Sequence, residues 1–246
     1  MRTSLRKLGA HVFLLLLTLC AGGWFSTVSA DPATFSANLT VNLTFPAPIP
    51  GVLAVGIGAG PVLPLCAVIA VGQAAGVCAN PTSNFAANTL TFTAGPINGN
   101  AGPGAGFVFA SSSGVSHTIT LTNLGAAPLN VALGGNYNFN LRTTALAGEF
   151  ARASVFFQII NESTGAVLFG PIASTITSPP NAQNAAAVIF GFSMILPPGA
   201  TDVTIDPFVQ GQAATIPEPT TLILLGTGLA GVAFKTRKRL GRKSGK

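Results

Sequence analysis

The chain has 246 residues, of which 7% are charged and 48% hydrophobic, and its formal net charge is +6. Most basic residues lie at the two ends, because residues 31–216 contain two basic and five acidic side chains and so carry a net charge of −3. No Asp, Glu, Lys or Arg occurs from Pro32 through Leu141. This distribution excludes a basic nucleic-acid-binding groove in the body of the protein. It indicates a sparsely charged domain whose polar surface is built from Thr, Asn and Ser.

The first 30 residues have the parts of a secretory signal peptide. A basic start is followed by an apolar stretch, Val12–Cys20, that is too short for a comfortable membrane-spanning helix. Small residues ending at Ala30 predict cleavage before Asp31 by signal peptidase, after delivery by the secretion machinery. Lipid attachment at Cys20 is the alternative, and the bulky Leu19 disfavours it. The basic residues of the start are Arg2, Arg6 and Lys7.

Strict alternation of apolar and polar residues from Phe35 to Phe45 predicts a β-strand with one buried face. Similar runs recur through the body and are separated by turn signals rich in Gly, Pro and Asn. Only Leu141 to Phe150 is compatible with a helical turn or two. We therefore predict an all-β fold for residues 31–216, an antiparallel β-sandwich of Ig-like or jelly-roll-like type. The further predicted strands are Thr118–Thr122, Asn136–Leu141, Val155–Ile160, Ala166–Phe169, Val188–Leu196 and Asp202–Val209.

An uncharged segment rich in Gly, Ala, Val and Pro extends from Gly51 to Ala79. Pro61 and Pro64 interrupt it, so no apolar run reaches the ~20 residues of a membrane-spanning helix, and a buried strand pair is favoured over a membrane span. Cys66 and Cys78 lie in this segment, and export brings them into an oxidising compartment. A Cys66–Cys78 disulfide is therefore predicted, with two buried free thiols as the alternative.

Patterns typical of catalytic or metal sites are missing from the body. Nucleophilic catalysis needs a base beside a Ser, Cys or Thr, and the body has a single histidine, His117, next to Ser116. The acidic residues are scattered and predict neither a glycosidase carboxylate pair nor a Ca²⁺ or Zn²⁺ site. We predict no catalytic residue, metal site, cofactor or nucleic-acid partner, and thus a protein that is not an enzyme. The acidic residues are Asp31, Glu149, Glu162, Asp202 and Asp206.

The last 30 residues, 217–246, combine three features in a fixed order. Pro217, Glu218 and Pro219 keep the backbone extended, because proline lacks an N–H and disfavours a helical residue before it. The largely apolar segment Thr220–Phe234 spans ~23 Å as a helix, against a hydrocarbon core of ~30 Å. We predict a short transmembrane helix whose basic end stays in the cytoplasm and leaves the domain outside. This cytoplasmic stop cluster consists of Lys235, Arg237, Lys238 and Arg239.

The ordered triplet resembles the PEP-CTERM sorting signal of Gram-negative bacteria that make exopolysaccharide, which an exosortase recognises and processes. The resemblance covers residues 216–239 and implies that Pro217, Glu218 and Pro219 are the recognition motif. It also implies that the helix is a transient stop in the inner membrane. The tail from Leu240 to Lys246 is longer than the usual abrupt basic end. An ordinary C-terminal tail anchor with an incidental Pro-Glu-Pro is the alternative.

These features together predict an exported, exosortase-sorted protein of the cell surface, the outer envelope or the extracellular matrix. Its expected role is structural or one of interaction, for example in a biofilm. Long β segments without charge favour pairing with other chains, so self-association or binding of exopolysaccharide is a hypothesis. A secreted carbohydrate-binding module or carbohydrate-active enzyme is the alternative class.

Overall fold

The computed structural model describes residues 32–58, 65–114, 116–146, 148–215 and Thr227, except for the side chains of residues 103–105. These residues form an all-β domain, as predicted, and the ladders between its strands are antiparallel. A helix with the length and hydropathy of a membrane span is not found in this described part. Its eleven strands are β1 (Ala33–Thr44), β2 (Leu53–Ile57), β3 (Leu65–Cys78), β4 (Thr82–Ala86), β5 (Thr89–Ser113), β6 (Ile119–Asn123), β7 (Leu129–Thr144), β8 (Phe150–Asn161), β9 (Ala166–Ser178), β10 (Ala182–Leu196) and β11 (Gly199–Thr215).

Hydrogen bonds join the strands into one continuous sheet in the order β10-β7-β1-β5-β11-β6-β2. β3 and β4 also pair with β5, and β8 connects β11 to β9. Because one open sheet includes all these strands, the described residues confirm the antiparallel all-β class but not the sandwich type.

The longest strand, β5, carries a bend in the sheet. Its first part, residues 89–101, pairs with β1, whereas its last part, residues 106–113, pairs with β11. β3 follows the same course, because Gly72 pairs with Gly106 and Ala74 pairs with Ala101. The backbones approach closely there, since a Cβ on Gly102 would lie 2.7 Å from the carbonyl oxygen of Gln73. Beyond the bend, β5 continues beside β11 instead of β1.

The core lies between the facing parts of the folded sheet. In β1 the predicted alternation is observed, since Phe35, Ala37 and Leu39 are buried and the intervening Ser36 and Asn38 are more exposed. Phe35 reaches across to β11, where a Cβ on Gly211 would overlap its ring. Tyr137 of β7 and Phe157 of β8 also meet across the core, with ring centroids 4.9 Å apart. Apolar contacts therefore join strands that are not neighbours in a ladder.

Two local predictions are wrong. β2 and β3 do lie between Gly51 and Ala79, but β2 pairs with β6 and β3 pairs with β5, so they are not a strand pair. β3 is largely exposed rather than buried, because it lies at an edge and pairs only with β5 among the described strands. In the segment compatible with a helical turn, β7 continues to Thr144, and the Glu149 N–H donates to the carbonyl oxygen of Leu146 at 3.0 Å before β8 begins at Phe150.

Candidate functional site

The segment predicted to direct sorting begins where the last strand ends. β11 ends at Thr215, whose hydroxyl donates to the carbonyl oxygen of Gly102 at 2.8 Å and accepts the Gly106 N–H at 3.1 Å. These bonds fasten the end of β11 to the bend of β5. The predicted recognition motif starts two residues later. The predicted processing residues lie outside the described residues: Ala30, Asp31, Pro217, Glu218, Pro219, Lys235, Arg237, Lys238 and Arg239.

Ser116 and His117 are not arranged as a nucleophile and its base. The Ser116 hydroxyl accepts the Ile205 N–H at 2.8 Å and donates to the main-chain carbonyl of His117 at 3.1 Å. The imidazole Nδ1 of His117 is buried and has no hydrogen-bond partner among the described residues. The serine therefore has a structural role: its hydrogen bonds attach the loop between β5 and β6 to β11.

Three acidic residues come together near the start of β11. The Glu162 N–H donates to the carbonyl oxygen of Asp202 at 2.9 Å, and Asp206 lies on the same face of β11 as Asp202. Each carboxylate accepts a hydrogen bond from a neutral side chain, at 2.7 Å for Asp202, 2.7 Å for Glu162 and 3.1 Å for Asp206. In the part of the chain that the structure describes, no group of three or more His, Cys, Asp or Glu residues is placed to hold a metal ion. The donors, in the same order, are Thr120, Thr204 and Gln158.

The side of β7, β1, β5 and β4 that faces away from the core carries an array of Asn and Thr side chains. The strand pairing puts them in rows, in which Asn136 of β7 lies beside Asn42 of β1 and Asn42 lies beside Thr91 of β5. Neighbouring strands are ~4.8 Å apart and residues two apart on a strand are ~6.7 Å apart, so the array is regular in two dimensions. We call this surface the Asn/Thr face, which consists of Asn38, Thr40, Asn42, Thr82, Asn84, Thr91, Thr93, Asn136, Asn138 and Asn140.

Hydrogen bonds between side chains order this face. The Thr91 hydroxyl donates to Asn42 Oδ1 at 2.8 Å, and the Asn42 amide donates to Asn136 Oδ1 at 2.8 Å. No member of the face is charged, and the cation beside it, Arg142, donates to Gln183 at 3.3 Å. Hydroxyl and amide groups both donate and accept hydrogen bonds, so the face is suited to a neutral polar ligand.

A depression of about 370 Å³ lies at one end of the Asn/Thr face. Ser36, Asn98 and Arg142 line it, together with Gly76 and Gly99, which contribute no side chains. The sequence predicts that one side of β1 is exposed to solvent, but it does not show that the polar sides of four strands form one surface. The signal for this face was the regular Asn and Thr spacing on the solvent side of each alternating strand.

A disulfide links Cys66 and Cys78, as predicted. Both residues lie on β3, and their Cα atoms are 5.9 Å apart although 12 positions separate them in the sequence. They can meet because β3 follows the bend of β5, where Cys66 pairs with Ser112 and Cys78 pairs with Ile97. The disulfide therefore closes the bend covalently.

Comparison with known proteins bears on the C-terminal segment. A family model described as the PEP-CTERM protein-sorting motif matches residues 215–239, which confirms the resemblance noted in the sequence. The chain therefore carries a PEP-CTERM sorting motif, which implies export and processing of a membrane-anchored precursor. The match begins at Thr215, the last residue of β11, so the motif follows the β domain directly. Among curated proteins, none matches the chain.

Proposed function

We propose that this chain is an exosortase-sorted exported protein whose β domain has a structural or interaction role in the cell envelope or the extracellular matrix. The observation that carries the proposal is the PEP-CTERM motif at residues 215–239. The proposed partners of the precursor are an exosortase, signal peptidase and the secretion machinery, and the inner membrane. The proposed partner of the mature domain at the cell surface, in the outer envelope or in a biofilm matrix is exopolysaccharide or a second copy of the chain.

The chemistry of the C-terminal segment supports this route. We infer an extended motif from the prolines at 217 and 219, because proline disfavours a helix there, and a processing enzyme could bind such a motif as an accessible strand. The basic stop cluster prevents passage of the helix end across the membrane and leaves the domain on the outer side. Cleavage near the motif would then release the domain, with a net charge of −3, from its anchor.

Replacing Pro217, Glu218 and Pro219 together by Ala tests the proposal in a cell that contains an exosortase. We expect the unprocessed chain to accumulate in the membrane fraction and its surface delivery to be lost, because the extended motif is removed while the helix and the stop cluster remain. Immunoblotting of fractions and the intact mass of the surface protein report the outcome. Lys235→Arg combined with Lys238→Arg keeps every charge and should be processed normally. Normal processing of the alanine variant would contradict the proposal.

The Asn/Thr face favours a second candidate function, the binding of a neutral glycan. A hydroxyl-rich polymer offers donors and acceptors in a repeating arrangement, which suits a regular array of amides and hydroxyls. Because the Asn/Thr face carries no charge, it gives little attraction to a polyanion. An apolar partner would bury the amides and hydroxyls of the face without forming hydrogen bonds to them. The mature protein would then act as a carbohydrate-binding module.

We also infer that the folded sheet is a β-sandwich of the predicted kind. The contact between Tyr137 and Phe157 and the reach of Phe35 to Gly211 support this interpretation, because they join parts of the sheet that are not neighbours in a ladder. In such a scaffold the packed inner faces hold the outer faces rigid. A rigid outer face would keep the Asn/Thr array in register.

A further inference from the structure

A row of apolar side chains crosses the outer face of the sheet at the end where the chain leaves β11. Val71 of β3 pairs with Phe107 of β5, Phe107 with Ala214 of β11, and Ala214 with Phe150 of β8. Cross-strand partners share a face, so the four side chains form one contiguous row over four strands. The exposed fraction is 61% for Val71, 39% for Phe107 and 37% for Phe150. We call this surface the apolar row.

The chain enters and leaves the domain at the end that carries the apolar row. Ala214 is followed by Thr215, where both β11 ends and the sorting motif begins. β1 starts at the same end, because Ala33 pairs with Ala101 next to the bend of β5. The four residues from Ile216 to Pro219, which precede the predicted helix, span at most about 14 Å. A helix held in the membrane would therefore keep this end of the domain close to the lipid surface.

Few charges lie around the apolar row. Arg152 of β8 is exposed and lies in the adjacent row, as the partner of Gln212. Glu149 precedes Phe150, and its carboxylate, which remains charged, accepts the N–H of Leu146 at 2.9 Å. The two acids of β11, Asp206 and Asp202, lie toward the opposite end of that strand, about 27 Å and about 40 Å from Ala214 along it. Arg152 and Glu149 offset each other in charge, so attraction to a bilayer interface would come from the apolar side chains.

We propose that the apolar row rests in the lipid interface while the precursor is anchored, and leaves it when the C-terminal segment is removed. This inference rests on the proposed function, because the C-terminal helix must hold the domain at the membrane. Contact with lipid removes the exposed area of Val71, Phe107 and Phe150 from water and orients the domain. The orientation presents the motif beyond Thr215 to an enzyme embedded in the same membrane. A row of this size binds weakly once its tether is gone, so processing releases the domain.

Tryptophan fluorescence at two matched positions tests the contact. The chain without its signal peptide, residues 31–246, has no tryptophan, because the single one is Trp24. Phe107→Trp places the probe in the apolar row, and Val52→Trp is the control, with exposed fractions of 39% and 38% for the native residues. Val52 lies at the opposite end of the domain, where its carbonyl oxygen accepts the Leu124 N–H at 2.9 Å. Both proteins are purified from a host without an exosortase, so that they keep the C-terminal segment.

The proteins are reconstituted in vesicles of phosphatidylethanolamine and phosphatidylglycerol, with or without brominated acyl chains that quench tryptophan. We expect Phe107→Trp to lose most of its emission in brominated vesicles and Val52→Trp to keep it. Adding Val71→Ser and Phe150→Ser to the Phe107→Trp protein should reduce the quenching several-fold, with circular dichroism showing that the β fold is retained.

Two results would overturn the inference in distinguishable ways. Equal quenching of Phe107→Trp and Val52→Trp, with both proteins floating with the vesicles, would show that the domain is anchored but does not rest on the apolar row. That result leaves the proposed function intact. Failure of both proteins to float with the vesicles would instead contradict the membrane-anchored stage, and with it both the inference and the proposed route.

Discussion

At the scale of single residues, the ring of Phe35 packs directly against two glycines. Phe35 is 2% exposed, and a Cβ on either Gly99 of β5 or Gly211 of β11 would overlap its ring. Both positions therefore need glycine for space rather than for backbone freedom. The large ring on β1 thus fills the space left by the two glycines on β5 and β11.

Gly211→Ala should consequently destabilise the domain. The added methyl group would push the Phe35 ring out of its site, and such overpacking typically costs about 1–3 kcal/mol. Gly56→Ala on β2 is the matched control, because a Cβ there has no neighbouring atom within 4 Å. We expect the control to change the free energy of unfolding by less than about 0.5 kcal/mol. Urea unfolding followed by circular dichroism measures both variants, and equal effects would contradict this account of Phe35.

At the scale of elements, β3 shows that an apolar strand can lie at an edge. Its sequence lacks charge, and Leu65, Ile69 and Val71 are each more than half exposed, at 57%, 56% and 61%. Exposed edge strands of this kind tend to pair with other chains. The bend and the disulfide between Cys66 and Cys78 keep β3 from being a long flat edge, which limits the length available for such pairing.

Removing this disulfide should lower the stability of the exported domain. Closing a loop of this size restricts the unfolded chain, so Cys66→Ser with Cys78→Ser should reduce the free energy of unfolding by about 3 kcal/mol. A reducing agent should produce a similar loss in the native protein and no change in the double variant. Denaturant unfolding with and without the agent makes the comparison. A double variant as stable as the native domain would show that the crosslink contributes nothing.

At the scale of the whole molecule, the surfaces of the folded sheet differ in chemistry. The Asn/Thr face is polar and uncharged, the start of β11 is acidic, and the apolar row lies at the end where the chain leaves the domain. These regions arise from strands far apart in the sequence, since Asn42 and Asn136 are hydrogen-bonded across 94 positions. The domain thus offers three chemically different surfaces, each suited to a different kind of partner.

The second candidate function predicts retention of the protein by a neutral glucan. In affinity electrophoresis through hydroxyethylcellulose, replacing Asn136, Asn138 and Asn140 together by Ala should weaken binding about tenfold or more, since each hydrogen bond contributes about 0.5–1.5 kcal/mol. Binding should be insensitive to salt, because the face has no charge. Thr175→Ala with Thr177→Ala on β9, outside the Asn/Thr face, should leave retention unchanged.

Other results would argue against the glycan-binding role. Retention that survives the triple Asn replacement would place binding elsewhere on the molecule. Preferential retention by an anionic polymer such as alginate, abolished by salt, would point to an electrostatic contact through the few cations rather than to the Asn/Thr face.

The success of each sequence prediction depended on whether its signal was local. β1 was predicted well because alternation of period two specifies both the strand and its buried face. The composition of β3 predicts burial because uncharged apolar residues usually lie in the core, but nothing near it in the sequence shows that, among the described strands, it pairs with β5 alone. The segment from Leu141 to Phe150 was ambiguous because it spans a strand end and a turn, which period analysis cannot separate. Ser116 and His117 are adjacent in the sequence, but adjacency alone does not show what the serine hydroxyl contacts. Only the fold reveals that it is hydrogen-bonded to main-chain groups of Ile205 and His117.

The sequence by itself determined the β class, the disulfide partners and the C-terminal sorting motif, because alternation, a cysteine pair and an ordered triplet are patterns within short stretches of chain. Only the tertiary structure decided which strands are neighbours. The Asn/Thr face and the apolar row exist because β1 lies between β7 and β5, and because β11 lies between β5 and β8. Such pairings depend on the packing of residues around Phe35 and the bend of β5, which the whole chain must form together.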